Sequence, residues 1–281
     1  MSRLSQTFHI GGLEIAALSD GAPDRALGGF FQGVDVAEWT QALGISRPEE
    51  PVPFNFGTFL VRGDSHTTLI DSGLGAPGKG MGVAGGGELM VRLAELRVKP
   101  ADVDTIVHTH LHLDHCGWDV DPAKGNSPTF PNARVYVSST ELDYWLDPSP
   151  EAEKRGAGAR LTMTPLKAAG LLQPFDGEFA VSRSLTMIPT PGHTPGHCSV
   201  MLTSQGEHLV ILGDAAHHPA HLEHHSWIPG VDVDRAASER SRAKIAALAV
   251  EKNAVITGGH FPILTLGRLR KTESGYRWES F

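Results

Sequence analysis

Cysteine is nearly absent from this chain: Cys116 and Cys198 are its 2 thiols in 281 residues. Two cysteines cannot build a disulfide framework, and both are read as interior, which suits a reducing cytoplasm. Long hydrophobic runs are missing as well. The most apolar pieces, such as "TTLID" and "HLVILGD", are strand-sized, far short of the ~20 residues that a membrane-spanning helix needs. Nor is there a surplus of positive charge. Lys plus Arg number 24 against 32 Asp plus Glu, a net charge of −8, which argues against a polyanionic partner such as a nucleic acid. The opening "MSRLSQTFHIGG" lacks the apolar centre of a signal peptide, so secretion is not expected.

What remains is a composition of 40% hydrophobic and 20% charged residues with 32 glycines, that of a soluble, loop-rich globular protein. A single domain over 1–281 is expected. Alternation of apolar and polar residues marks strands at "FHIGGLEIAALSD", "FNFGTFLVRGD" and "HTTLIDSG", the last two joined by a turn at Gly63 and Asp64. Between the first and second of these, residues 21–53 are irregular yet carry Phe30, Phe31 and Trp39. That is too apolar for a linker, and the segment is read as a lid or a dimer contact.

After the third strand come eight glycines in sixteen residues, from Gly73 to Glu88. Gly73, Gly78 and Lys79 imitate the start of the phosphate-binding pattern G-x-x-x-x-G-K-[ST]. Gly80 stands where a hydroxyl must hold magnesium, so the stretch is read as a mobile loop and not as a nucleotide site. The spacing of Leu89, Leu93 and Leu96 predicts a helix over 88–97, and "VDTIV" a buried strand. Further strands are expected at "ARVYVS", "SLTMIPT", "CSVMLTS", "HLVILGD" and "NAVITGG", and helices over 138–146, around 158–169 and over 235–250. Strands and helices without a strict βαβ repeat point to a layered α/β sandwich.

The stretch "HTHLHLDH", residues 108–115, holds four histidines and an aspartate in eight positions. Side chains alternate in extended backbone, so His110 and His112 can point the same way at the end of "VDTIV", while the following turn presents Asp114 and His115. Neutral imidazoles and ionised carboxylates are good ligands for zinc and similar cations. Burying so many of them without a metal would be costly. His193 in "TPGHTPGH", Asp214 in "VILGDAAHH" and His260 in "TGGHFP" each follow an apolar strand and lie near glycine, and are candidates to complete the set.

Together these four segments resemble the metallo-β-lactamase superfamily of dinuclear hydrolases. The resemblance implies a four-layered αββα sandwich with the site at the sheet edges. It implies that His110, His112 and His193 bind one metal, that Asp114, His115 and His260 bind a second, and that Asp214 bridges both. Two divalent ions per chain are expected, zinc first, with Mn, Co or Fe as alternatives. An aspartate at the bridging position is similar to glyoxalase II, lactonases and phosphodiesterases. "FPNARVYVSSTELDYWLD", "LLQPFDGE" and "GRLRKTESGYRW" are similar to the methyl parathion hydrolase branch, many of whose relatives are lactonases.

Two metal ions ~3.5–4 Å apart could share a hydroxide as nucleophile, with one ion polarising the oxygen under attack. Asp114 is the candidate to orient that hydroxide and pass its proton to the leaving group. Asp71 is expected to brace a metal-bound imidazole, helped by His197 and Thr109. His108 and Cys116 are read as core. In quorum-quenching lactonases a tyrosine three residues after the bridging aspartate supports the substrate oxygen, and here that place holds His217. A pocket-facing His217 that donates to a developing oxyanion is therefore expected, with the remaining histidines of "HHPAHLEHH" at the surface.

The expected protein is a cytoplasmic metallo-hydrolase acting on lactones, of acyl homoserine lactone type, or on related carboxylic esters. A phosphotriesterase similar to methyl parathion hydrolase is the alternative, and a diiron redox or metal-binding protein the one from another class. The specificity pocket is expected from residues 21–53, Trp118, 145–165 and 217–230. The partner is a small-molecule ester, lactone or phosphotriester, with no nucleic acid and no membrane. A homodimer is a family-level expectation.

Overall fold

Two glycines split the first alternating stretch. In the computed structural model, which describes residues 5–27, 30–76, 86–263 and 265–281, Gly11 and Gly12 turn the chain between β1 (Ser5–Ile10) and β2 (Leu13–Ser19). The two pair antiparallel, so the stretch expected as one strand is a hairpin. Gly11 has φ +52°, and a Cβ there would lie 2.3 Å from the carbonyl oxygen of Ser204, which leaves room for glycine alone. β3 (Gly57–Gly63) and β4 (His66–Ile70) form the expected second hairpin, turning at Asp64 and Ser65. Then β5 (Thr105–Val107), β6 (Arg134–Ser138) and β7 (Leu172–Phe175) add in parallel, completing a seven-stranded sheet in chain order.

A second seven-stranded sheet repeats the plan. It runs through β8 (Phe179–Ala180), β9 (Leu185–Pro189), β10 (Cys198–Ser204), β11 (Glu207–Ile211), β12 (Val255–Thr257), β13 (Gly267–Lys271) and β14 (Tyr276–Ser280). Its neighbours are antiparallel except β11 and β12. Parallel neighbours need crossovers, and helices supply them. Besides α1 (Val36–Leu43) between β2 and β3, α2 (Leu89–Glu95) lies between β4 and β5, α3 (Leu113–Cys116) between β5 and β6, α4 (Ser139–Leu146), α5 (Pro150–Arg155) and α6 (Ala157–Ala168) between β6 and β7, and α7 (Ala220–Glu223) and α8 (Arg235–Glu251) between β11 and β12.

The period of two along each strand separates the layers. Phe59, Val61 and Ile70 face the second sheet and pack with Met187, Val200 and Leu209. Leu60 and Leu69 face outward against Leu89, Leu93, Met163 and Leu166. On the far side Val210 and Ile256 pack on Ile245, Ala246 and Ala249 of α8. The result is the expected αββα sandwich. The glycine-rich loop lies partly outside the described residues, at 77–85. No described helix is long and apolar enough to cross a membrane.

This topology brings the site together. β4, β5, β9, β11 and β12 all run the same way within their sheets, so their C-terminal ends meet at one edge of the sandwich. Asp71 follows β4, the histidine motif follows β5, and His193, Asp214 and His260 follow β9, β11 and β12.

Candidate metal centre

Leaving β5, the chain bends at Thr109, is extended again at His112 and then turns into α3 (Leu113–Cys116), which swings Asp114 and His115 to the side of the two earlier imidazoles. Glu141, fully buried at the start of α4, pins this segment. Its Oε1 accepts from the Leu111 N–H at 3.0 Å and the Trp145 indole at 2.5 Å, and its Oε2 from the Gly196 N–H at 3.0 Å. One carboxylate thus ties the His110–His112 segment to the loop that carries His193. A Cβ on Gly196 would lie 2.2 Å from the Glu141 nitrogen, which is why the loop needs glycine there.

The structure brings all seven expected ligands together. Inward ligand atoms of His110, His112, His193 and Asp214 lie within 4.8 Å of one another, as do those of Asp114, His115 and His260. Asp214 joins the groups: its Oδ1 is 3.2 Å from His115 Nε2, and its Oδ2 is 3.2 Å from His193 Nε2, 3.3 Å from His260 Nε2 and 3.7 Å from His110 Nε2. His217 is there too, its Nε2 3.2 Å from Asp214 Oδ2 and its ring parallel to that of His260 at 5.4 Å.

Outward nitrogens decide what the inward ones can do. His260 Nδ1 donates to the Asn55 carbonyl at 2.7 Å, His115 Nδ1 to Asp71 Oδ2 at 2.9 Å and His193 Nδ1 to Asp232 Oδ1 at 3.0 Å. A carbonyl can only accept, so the His260 tautomer is settled. As a neutral imidazole, the form that ligates, each of these rings would direct a lone pair at carboxylate oxygens, acceptor against acceptor, unless a proton or a cation sits between them. His112 Nδ1 lies 2.9 Å from both His110 Nε2 and His193 Nε2, again more lone pairs than protons can serve. The buried His115 Nε2 and Asp214 Oδ1 have no hydrogen-bond partner. Such a donor set fits divalent cations of the zinc type.

The electrostatics agree. Burial pushes the Asp214 carboxyl up, but the imidazoles around it, His260 foremost, hold it well below the usual carboxylate range. Burial, and then the neighbouring His193, lower His112 to about 3, the neutral form that ligates. For His193 burial is outweighed by Asp214 and Asp232, which raise it to about 9. A cation held between these groups would replace that proton.

Beneath the site Asp71 sits at φ +57°, a strained backbone for a non-glycine residue. It accepts from the Thr109 N–H and hydroxyl, each at 2.8 Å, as well as from His115. His197 Nε2 accepts from the Asp214 N–H at 2.9 Å. Gly213 has φ +56°, and a Cβ on it would meet that imidazole at 2.7 Å. His108 is core, as expected, but it is not neutral filler: its Nε2 is 2.9 Å from the buried Asp119, and Asp119 and Asp71 outweigh burial to raise it to about 9. Cys116 is buried.

Above the site opens a cavity of about 710 Å³, with Asp114, His112, His193, Asp214, His217 and His260 on its floor and Leu27, Phe30, Phe54, Phe56, Leu113 and Val231 around it. A second space of about 350 Å³ adjoins it across Leu27, Phe30 and Phe54. Three expectations need correction. Trp118 and residues 145–165 are not among its described lining: the Trp118 indole points away and donates to Asp20 at 3.2 Å. Phe54 and Phe56, expected to open a strand, precede it and turn their rings on His260, at 4.5 Å and 5.4 Å. His221, expected at the surface, is fully buried against Phe31, and its Nδ1 accepts from the His217 N–H at 3.2 Å.

Glu141, Asp119, Asp232 and Arg242 escaped the sequence reading. Each sits among other charged residues and pairs with groups ten or more positions away, so no local spacing betrays it. The structure is similar throughout its length to AidC, described as a dizinc quorum-quenching lactonase in complex with a product, N-hexnoyl-L-homoserine. The two share 26% identity over 99% of each chain, with a TM-score of 0.84. AbOPH, a hydrolase in the beta lactamase superfamily, is 26% identical over 100% of this chain and 98% of its own, with a TM-score of 0.87. In sequence, N-acyl homoserine lactonase AttM of Rhizobium radiobacter is 32% identical over 179 residues, 61% of this chain. An N-acyl homoserine lactonase of Bacillus cereus is 25% identical over 169 residues. The chain spans about three fifths of the length of these curated relatives, 63% and 60%. The profile of the Metallo-beta-lactamase superfamily matches residues 58–260.

Proposed function

The chain belongs to the metallo-beta-lactamase superfamily, and from that premise we propose a dinuclear metal-dependent hydrolase that opens lactones of acyl homoserine lactone type or cleaves related carboxylic esters. One observation carries this: imidazoles whose outer nitrogens are already committed aim their lone pairs at a shared carboxylate, Asp214, on the floor of a largely apolar cavity. His110, His112 and His193 would hold one cation, Asp114, His115 and His260 the other, and Asp214 both. When bound, such cations supply Lewis acidity and bring water near them to a nucleophilic state at neutral pH.

The side chains do the rest. Asp114, whose side chain is 12% exposed at the cavity floor, takes the proton of the attacking water and returns it to the alkoxide as the acyl C–O bond breaks. A lactone so opened leaves as a hydroxy acid. His217 donates a hydrogen bond to the substrate oxygen as charge gathers on it. Leu27, Phe30, Phe54 and Val231 exclude water and receive the acyl chain. Residues 21–53 act as the lid: Phe31 and Gln32 pair with Pro229 and Ile228, closing that segment over the His217 loop. Two free, buried cysteines favour a cytoplasmic setting.

A matched panel tests the assignment: kcat/KM of zinc-loaded protein on short and long acyl homoserine lactones and on an aryl phosphotriester. Lactones are expected to be preferred by orders of magnitude. A reversed preference would move the chain to phosphotriesters, and a visible absorption band from bound iron would replace hydrolysis by redox chemistry.

A further inference from the structure

Arg242 lies in the middle of α8, and its side chain has no exposure to solvent. A fully buried guanidinium needs partners for its donors, and four of its five N–H groups have them. Nε donates to the Ala215 carbonyl at 2.8 Å, and Nη1 to the carbonyls of His225 at 2.6 Å and Trp227 at 2.8 Å. Nη2 donates to Asp232 Oδ2 at 2.7 Å. The other oxygen of that carboxylate, Oδ1, accepts from His193 Nδ1. Ala215 immediately follows Asp214, and the stretch from Ala215 to Trp227 carries His217.

We infer that Arg242 is a positioning residue that locks His193 and the His217 wall to one rigid helix through Asp232, an inference that rests on the metal centre proposed above. Four contacts to one planar fork fix its plane, and the fork fixes the carboxylate. The carboxylate in turn fixes the angle at which His193 presents Nε2 to the site. A lysine offers a point charge on a flexible stem and cannot hold three carbonyls and a carboxylate at once. Nothing else on α8 reaches both parts of the site: Ser241 Oγ donates to the Pro191 carbonyl at 2.6 Å and stops there.

Metal retention tests this without reference to turnover. Zinc-loaded full chain is dialysed against increasing chelator, zinc per chain is measured by mass spectrometry, and Tm is recorded beside it. Wild type is expected to keep two ions where Arg242→Lys and Arg242→Met keep about one, the first site being weakened about 10–100-fold. Asp232→Asn is expected to give the same loss, and the double variant Arg242→Met/Asp232→Asn no more than either alone, because both act through one chain of contacts. Ala249→Gly, buried on the same helix but away from Asp232, serves as the control for plain destabilisation. It should lower Tm and keep two ions. Full retention in the Arg242 variants, or equal loss in Ala249→Gly at matched Tm, would overturn the relay. A wild-type chain that takes up no zinc would overturn the centre itself.

Discussion

The floor of the cavity hangs from the ends of strands in the two large sheets, while its walls come from the 21–56 segment, whose described regular structure is one helix (Val36–Leu43) and strands of two or three residues, and from the loop from His217 to Val231. On the floor three imidazoles, those of His115, His193 and His260, are committed twice, once inward and once to a fixed acceptor, Asp71, Asp232 or the Asn55 carbonyl. The walls rest on aromatic edges instead: Phe30 meets His217 at 5.2 Å and Phe31 meets Trp227 at 5.5 Å. A floor held this way admits few substitutions without losing its chemistry. Walls held by packing can change shape and leave the chemistry intact, which is how one fold serves several substrates.

The sharpest way to break this contrast is a floor residue that does not position its neighbours. Asp114→Asn keeps the shape and an oxygen ligand but removes the proton acceptor. It is expected to lower kcat by about 10²–10⁴-fold while both ions stay bound. Full activity with full metal content would end that role. A wall residue should behave in the opposite way. Phe30→Ala is expected to raise KM for a long acyl lactone about tenfold, to leave a short one nearly unchanged and to leave zinc content untouched. If metal were lost, wall and floor would not be separable.

The same contrast governs what could be read from the chain. The floor was legible because its ligands sit close in sequence or directly after apolar strands, and the four segments together resemble one superfamily. The second hairpin, strands β5, β6 and β9 to β12, and α8 were legible from periodicity, whereas the first hairpin passed for a single strand. The supports were not: the hydrogen bonds of Glu141 reach back to Leu111 and forward to Gly196, and that of Asp232 reaches His193, pairings that only the folded topology creates. The walls were half legible. Phe30 and Phe31 stood out as apolar residues in an irregular segment, whereas Phe54 and Phe56 passed for a strand. His221 passed for surface because a histidine-rich run gives no hint of which ring meets Phe31.

Two buried aspartates carry the comparison to electrostatics. Asp214 is surrounded by imidazoles that hold its carboxyl low, whereas the donors to Asp20 are neutral, the Leu74, Glu88 and Leu89 N–H groups and the Trp118 indole. Those donors pull its pKa down, but burial is the larger influence and pushes it up to about 7, from the ordinary 3.8. A carboxyl that is harder to ionise folded than unfolded binds more protons in the folded state between those two values. Stability from this group is therefore greatest at the acid end and falls as pH rises toward 7. Subtracting the stability of Asp20→Asn from that of wild type at each pH removes the shared titration of the histidines. That difference is expected to fall by about 2 kcal/mol between roughly pH 5 and pH 7. Parallel curves would mean that Asp20 stays ionised throughout, and that neutral N–H donors alone can do for a buried carboxylate what the imidazoles do for Asp214.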